Sequence, residues 1–398
     1  MTLDPALSAA TLAIHGRRAR DTHADSILFP IYQTATYVHE TVGVTKGFSY
    51  SRGANPTVDA LEQAISSLEE TPGAVCFRTG MAAISTLLLA VLKAGDHVVV
   101  SDVIYGGTIR LFDKVLGGLG IESSFIDCSN LNAIEDAIRP NTRMLLIETP
   151  ANPTLKLIDI AAVAGIAKRH KVLLAVDNTF LTPLLQRPLD MGADISILST
   201  TKYVDGHNAT IGGSVATHDE ALLEHLRLIR KTLGTIQAPM EAWLTLQGSK
   251  TLPARMKLHC ENARCVARWL ESNPAVERVH YPGLDSFPQR KLAEKQQRDG
   301  GGMLAFELKG VSREQTMRVI DALKLCSCAE SLGSLETLVT HPATASHCDV
   351  PAEIRERLGV TDRLIRMSVG LEAPEDIIAD LDQAIASVFE GAVTGGAQ

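Results

Sequence analysis

Short, continuously apolar runs that stop at a polar residue recur through the middle of this chain, and they restrict its fold more than any other feature. Ala74–Phe77, His97–Val100, Ser124–Asp127, Met144–Glu148, Val172–Asp177 and Ile195–Ser199 follow this plan. Helical stretches stand between them, at Ala82–Lys93, Asn132–Ile138 and Ile160–His170. A strand with one solvated face alternates polar and apolar side chains, so strands that are apolar at successive positions must be covered on both faces. Alternation with helices then predicts the α/β class, a mostly parallel sheet with helices against each side. In such sheets ligands collect beyond the carboxyl ends of the strands, and the polar stops stand at those ends.

A single core stops growing near roughly 250 to 300 residues, and this chain has 398. Residues 1–60 lack sustained periodicity and read as an arm that packs on something else. Residues 61–250 read as the large domain. Residues 251–398 read as a smaller C-terminal α/β domain, with strands at Val276–Tyr281, Met303–Leu308 and Leu364–Val369. Its helices are expected at Arg313–Leu323 and Pro374–Phe389, after a long helix over Met240–Ser272, and the stretch Gly391–Gln398 should fray.

The 38 Lys and Arg against 46 Asp and Glu give a net charge of −8, which removes the electrostatic footprint of a nucleic-acid binder. The apolar stretch Met81–Leu92 falls short of the ~20 residues that cross a bilayer, so no membrane contact is expected. Seven scattered cysteines without a C-x-x-C pair, and no signal peptide ahead of them, set the expectation of a reduced, cytoplasmic protein. His259-Cys260 and His347-Cys348 lack further ligands at metal-binding spacing, so no metal is expected. Cys326 and Cys328 read as buried thiols rather than a disulfide.

Three polar residues at strand ends read as a set: Asn152, Asp177 and Lys202, spaced by about one strand-helix-strand unit each. Singly, a lysine beside a buried carboxylate is a structural ion pair. Together they fit pyridoxal phosphate, because a lysine amine forms a Schiff base with its aldehyde, an aspartate holds its ring nitrogen protonated, and an asparagine donates to its ring hydroxyl. The phosphate needs unpaired N–H groups, and Thr79-Gly80-Met81 at the start of a helix offers them. No G-x-G-x-x-G follows a strand, which argues against a nicotinamide enzyme.

The segments Tyr50-Ser-Arg52-Gly-Ala-Asn55-Pro56-Thr57, Thr79-Gly-Met-Ala-Ala83, Tyr105-Gly-Gly-Thr108, Glu148-Thr-Pro-Ala-Asn152-Pro153-Thr154, Asp177-Asn178-Thr179, Ser199-Thr-Thr-Lys202-Tyr203, Gly206-His207, Ser331-Leu-Gly333 and Arg366-Met-Ser-Val-Gly-Leu-Glu372 extend the set. In this order they resemble the transsulfuration, or Cys/Met metabolism, family of pyridoxal phosphate enzymes. The resemblance implies a fold-type-I, aspartate-aminotransferase-like architecture and a homotetramer of active dimers. It implies Lys202 as the Schiff-base lysine and proton shuttle, Asp177 as the partner of the ring nitrogen, and Asn152 as a contact for the ring hydroxyl or the substrate. Tyr105 matches the residue that stacks on the ring, and Gly80, Met81, Ser199 and Thr201 match the phosphate cup. Tyr50 and Arg52 match residues that reach that phosphate from a neighbouring subunit, while Arg366 matches the arginine that grips the substrate α-carboxylate, with Ser331 beside it.

The implied chemistry is γ-elimination or γ-replacement on a small amino-acid substrate. Arg110 and Glu336 resemble residues of the cystathionine γ-synthase and γ-lyase branch, whose substrates have a polar far end. Methionine γ-lyase and O-acetylhomoserine sulfhydrylase are the alternatives; the former tends to carry cysteine where this chain has Gly107. A non-catalytic cofactor-binding homologue is the remote alternative. Three departures from the family pattern stand out: Ser49 in place of an acidic residue, Arg78 before Thr79, and Ser334 after Gly333. His207 reads as a loop hydrogen-bonder rather than a base.

Overall fold

The computed structural model describes residues 7–16, 23–346, 348 and 352–389. His347 and the stretch Gly391–Gln398 lie outside them. The chain divides into two compact units, Met1–Glu148 with Ile158–Ala254, and Thr149–Leu157 with Arg255–Gln398.

The first unit is built on a seven-stranded sheet of β1 (Gly73–Phe77), β2 (His97–Ser101), β3 (Glu122–Ile126), β4 (Thr142–Glu148), β5 (Leu173–Asp177), β6 (Ile195–Leu198) and β7 (Gly213–Thr217), in the order β1-β7-β6-β5-β4-β2-β3. The pairs from β3 through β6 are parallel, and β7 runs antiparallel to both its neighbours. Its helices are α1 (Ala9–His15), α2 (Pro56–Glu69), α3 (Gly80–Val91), α4 (Gly106–Leu111), α5 (Leu131–Ala137), α6 (Ile160–His170), α7 (Thr182–Leu185), α8 (Glu220–Leu233) and α9 (Pro239–Ser272), the last belonging to the second unit from Arg255 on.

Both faces of this sheet are covered, as the apolar runs require. Val98, Val100, Met144, Leu146, Ile195 and Ile197 pack with Ile84, Leu87 and Leu88 of α3. The intervening Val99, Leu145, Ile147, Leu174 and Val176 pack with Ile160, Val163 and Ile166 of α6. Each fully buried aliphatic side chain contributes about 1.5–3 kcal/mol, so the alternation fixes which side chains face which helical layer. β7 escaped the sequence reading because Gly213-Ser-Val-Ala-Thr217 is short, begins with glycine and carries two hydroxyls, yet it is buried throughout.

The arm is more structured than its composition suggested. Thr36 pairs with Tyr50 and Thr41 with Val44 in antiparallel bridges, making a hairpin that leads to Asn55, whose side chain caps α2 at Thr57 N–H. Ile27, Val38 and Val42 on this arm are exposed.

In the second unit the strands β8 (Val276–His280), β9 (Met303–Leu308), β10 (Ser327–Cys328), β11 (Leu338–Thr340) and β12 (Leu364–Ser368) form a sheet in the order β10-β11-β12-β9-β8. Leu304, Phe306, Ile365 and Met367 bury one face against Val266 and Leu270 of α9 and against Ile377, Leu381 and Ile385 of the helix Pro374–Phe389. Residues 149–157, which by sequence continuity fall in the large domain, cluster here instead. Leu157 N–H donates to Gln289 Oε1 and Gln289 Nε2 donates to the Leu157 carbonyl, both at 2.7 Å. Cys326 is buried as expected, but Cys328 is exposed, because β10 is a two-residue edge strand.

A buried ion pair and a buried carboxyl link the elements of the first unit. Arg230 of α8, only 2% exposed, pairs with Glu62 of α2 and donates to the Cys76 carbonyl of β1 at 2.8 Å, while Cys76 N–H donates to Glu62. Glu69, at the end of α2, accepts from Ser196 Oγ at 2.8 Å, and its other oxygen has no partner among the described residues. Burial pushes its carboxyl up to about 7, against the opposing pull of Ser196 and Arg187. An unfolded glutamate ionises near 4.5, so the stability that Glu69 contributes is complete below that pH and is lost as pH rises from 4.5 to about 7. The slope is up to about 1.36 kcal/mol per pH unit. Glu69→Gln, neutral throughout, should flatten the denaturant-melt stability across this window, gaining on the wild type by about 2–3 kcal/mol at its upper end. Parallel stability curves for the two proteins would contradict the assignment.

Candidate active site

The carboxyl ends of β4, β5 and β6 place polar groups side by side. Glu148 and Asp177 are register partners on β4 and β5, and Ser199 follows β6 directly. Asp177 is buried, and its Oδ1 accepts both the Thr179 N–H at 3.0 Å and the Thr179 hydroxyl at 2.6 Å. The same hydroxyl oxygen accepts the Ser199 N–H at 2.9 Å. Thr179 therefore ties the aspartate to the loop that carries Lys202. Burial raises the Asp177 carboxyl above its ordinary value and the two Thr179 donors oppose this. Oδ2 has no partner among the described residues, so a cation set against it would both satisfy that oxygen and restore the ionised form.

Lys202 sits in a series of tight turns, with its own N–H on the Ser199 carbonyl at 3.2 Å and its carbonyl accepting from Gly206 N–H at 2.8 Å. Asp205 stiffens the loop by accepting from His207 N–H and Ala209 N–H. His207 Nδ1 bonds the Asp205 carbonyl, so this histidine is a loop hydrogen-bonder. Thr201, expected in a phosphate cup, donates its hydroxyl proton to the Gly212 carbonyl at 3.1 Å and accepts Gly212 N–H at 2.9 Å. A hydroxyl has one proton, so in this arrangement Thr201 has none for an anion.

The N-terminus of α3 is the candidate anion seat. Thr79 caps α3 by accepting Ala82 N–H at 2.9 Å, and the N–H groups of Gly80 and Met81 have no acceptor among the described residues. A Cβ at position 80 would lie 3.0 Å from the Ser199 hydroxyl, and one at Gly213 would lie 2.5 Å from the Thr79 carbonyl. Glycine at 213 lets β7 close against this turn, which brings Ser199 beside two free N–H groups at a helix N-terminus.

Tyr105 N–H donates to Glu148 Oε2 at 2.7 Å, fixing the start of α4, while the tyrosine ring is 44% exposed. A Cβ on Gly107 would stand 2.4 Å from Cε1 of that ring and 3.1 Å from the Met81 sulfur. The ring edge and the thioether thus occupy the space that a side chain at 107 needs. Arg110 is exposed on the same short helix. Arg78 pairs with Glu241 at 3.2 Å on the surface, half exposed, which accounts for one departure from the family pattern.

Tyr50 and Arg52 do not join this cluster. The Arg52 guanidinium lies 5.6 Å from the centre of the Tyr50 ring and donates to the Lys231 carbonyl at 2.7 Å, near the end of α8.

The second unit carries its own polar cluster. Arg366, on the central strand β12 and buried, donates to Asn152 Oδ1 and to the Ser331 carbonyl, each at 2.9 Å. Ser331 has φ of 128°, a strained conformation for a residue with a Cβ, of the kind that clusters at functional sites. Glu336, exposed on the same loop, has its carboxylate bonded by the Ser334 hydroxyl. Among the described residues no group of histidine, cysteine, aspartate and glutamate side chains fits a metal ion, and no helix is long and apolar enough to cross a membrane.

The sequence reading gave no role to Thr179, Glu148 or Ser334. For Thr179 a signal existed: an aspartate followed two positions later by a hydroxyl is a local turn pattern in which the carboxylate caps the i+2 N–H.

A buried aspartate with one oxygen unpartnered among the described residues, a helix N-terminus with two open N–H groups beside a serine, a half-exposed tyrosine and a lysine on a clamped loop are parts that fit a phosphorylated pyridine aldehyde. The family described as Cys/Met metabolism PLP-dependent enzyme matches residues 10–386. The chain belongs to that family of pyridoxal phosphate enzymes. It is 44% identical over 378 residues to cystathionine gamma-lyase of Bacillus subtilis (strain 168), covering 95% of this chain and 99% of that protein. It is 43% identical over 389 residues to L-methionine gamma-lyase of Fusobacterium nucleatum subsp. polymorphum, covering 95% of this chain and 98% of the relative. Among solved structures, cystathionine gamma synthase from Xanthomonas oryzae pv. oryzae superposes with a TM-score of 0.93 at 38% identity, over 96% of this chain and 99% of that one. The fold is that of the fold-type-I pyridoxal phosphate enzymes.

Borohydride reduction of the loaded enzyme followed by peptide mapping should leave the cofactor mass on the peptide that contains Lys202. Lys202→Ala should keep the far-ultraviolet spectrum of the folded chain and lose the label; a label on another lysine of the wild-type enzyme would refute the assignment.

Proposed function

We propose that this chain catalyses γ-elimination or γ-replacement on cystathionine or O-acylhomoserine-type amino acids, as a cystathionine γ-lyase or γ-synthase. Pyridoxal phosphate, when bound, supplies an electron-withdrawing ring that acidifies the hydrogen on the substrate α-carbon. Asp177 would hold the ring nitrogen protonated, the Gly80 and Met81 N–H groups with Ser199 would hold the phosphate, and the Tyr105 ring would limit the tilt of the pyridine. Lys202 Nζ would carry the aldehyde and, as a free amine, would move the protons: it would take the α-hydrogen, return it elsewhere on the same face, and then take a β-hydrogen. The electron pair left at the β-carbon would form the β,γ double bond as the γ-substituent leaves with the pair of its own bond. Arg366 holds the α-carboxylate with a charge whose orientation is already set by Asn152 and Ser331.

The observation that carries the cystathionine branch is α4. Arg110 offers a cation one turn beyond Tyr105, and Gly107 leaves the Tyr105 ring where it lies because no side chain competes for that space. A distal carboxylate rewards such a cation, whereas methionine ends in an uncharged methyl group and gains nothing from it. The identity to relatives named both cystathionine gamma-lyase and L-methionine gamma-lyase leaves this helix as the discriminating feature.

Assaying purified enzyme for 2-oxobutyrate from cystathionine, methionine and O-acylhomoserines, with and without cysteine, tests the reading; pyruvate from cystathionine would place the cleavage at the β-position instead. A charge-assisted contact is worth roughly 1.5–3 kcal/mol, or about one to two decades of rate constant. Arg366→Ala should therefore lower kcat/KM for every amino-acid substrate by that amount, and Arg110→Ala only for those with a charged far end. Equal losses for methionine and cystathionine in Arg110→Ala would remove the basis for preferring the cystathionine branch.

A further inference from the structure

The loop from Ser331 to Thr337 is fastened at nearly every residue. Arg366 bonds the Ser331 carbonyl at 2.9 Å, Gly333 N–H donates to Ser368 Oγ at 2.8 Å, and Leu371 N–H donates to the Leu335 carbonyl at 2.7 Å. Thr337 closes the segment, with its N–H and hydroxyl both on the Glu372 carboxylate at 2.6 and 2.8 Å. The one side chain of this loop that is exposed is Glu336. Ser334, fully buried, donates its hydroxyl to the Glu336 carboxylate and accepts the Glu336 N–H at 3.1 Å. An exposed glutamate ordinarily samples many rotamers and loses that freedom on binding a ligand. Here a hydroxyl anchored in a rigid loop has already restricted it.

We propose that Ser334 is a positioning residue for substrate selection: it presets the Glu336 carboxylate to receive the cationic far end of a diamino acid, the ammonium group that cystathionine has and methionine lacks. The inference rests on the proposed function, which supplies the cystathionine-type substrate. It also gives the departure at position 334 a physical reason, since the glycine that the family pattern has there carries no hydroxyl. Preorganisation of this kind shows in binding rather than in the bond-breaking step, because the far end of the substrate is remote from the bonds that change.

The test compares the loaded wild-type enzyme with Ser334→Ala, Ser334→Thr, Glu336→Gln and the Ser334→Ala/Glu336→Gln double variant. Each is assayed for KM and kcat with cystathionine and for the inhibition constant of methionine, so that a general loss of folded enzyme cancels within each variant. Ser334→Ala should raise KM for cystathionine about threefold to tenfold, the size of one net hydrogen bond, with a smaller effect on kcat and none on the methionine constant. Ser334→Thr, which keeps the hydroxyl, should restore the wild-type ratio. The double variant should be no worse than Glu336→Gln alone, because Ser334 acts through that carboxylate. A cystathionine KM unchanged in Ser334→Ala but raised in Glu336→Gln overturns the positioning role alone. Additive losses in the double variant, or an equal weakening for methionine, overturn it as well. An unchanged KM in Glu336→Gln overturns it together with the cystathionine reading of the site.

Discussion

One hydroxyl group organises the cofactor half of this protein. Thr179 Oγ1 donates to Asp177 and accepts from the Ser199 N–H, and so joins the end of β5 to the turn after β6. A carboxylate buried at a strand end would otherwise be a liability, because the charged form loses its water and the neutral form gains nothing in exchange. Two donors from Thr179 occupy one oxygen and leave the other without a partner among the described residues. On the proposed reading, this keeps an acceptor in place for the ring nitrogen with no lysine or arginine partner to displace.

The same logic governs the second unit with the sign reversed. Arg366 lies buried on a central strand, and two neutral oxygens, from Asn152 and Ser331, orient it without cancelling its charge. Glu336 is held by a neutral hydroxyl in like manner. Polar groups fixed before the ligand arrives need no reorganisation when charge is placed beside them, which is the economy of a preorganised site. Where charges do neutralise one another, as in Arg230 with Glu62, they serve the fold: losing either partner would strand a buried charge, at a cost of about 3–5 kcal/mol.

The positions of Asp177, Ser199 and Lys202 were legible because strands apolar on both faces point to a parallel sheet, whose carboxyl ends share one edge, and the polar stops mark that edge. What the sequence did not reveal depends on contacts distant along the chain. β7 has no hydrophobic signature and is held by pairing with β1 and β6. Residues 149–157 belong to the second unit through Gln289 and Arg366, which lie far along the chain. Thr201 matches a phosphate-binding position by motif, yet its proton goes to Gly212, a partner that no local pattern announces. Family resemblance supplied the expected roles of Arg366, Tyr105 and Arg110, which spacing alone does not reach, and Ser334, a departure from the family pattern, is hydrogen-bonded to Glu336.

The central claim is that Asp177 keeps the ring nitrogen of the bound cofactor protonated. It is tested most directly by reconstituting the enzyme with pyridoxal phosphate carrying an isotope-labelled ring nitrogen and recording its nuclear magnetic resonance. The account predicts a protonated nitrogen in the wild-type enzyme at neutral and mildly alkaline pH, and an unprotonated one in Asp177→Asn with the fold preserved. An unprotonated nitrogen in the wild type, or the same protonated signal in both proteins, would contradict it.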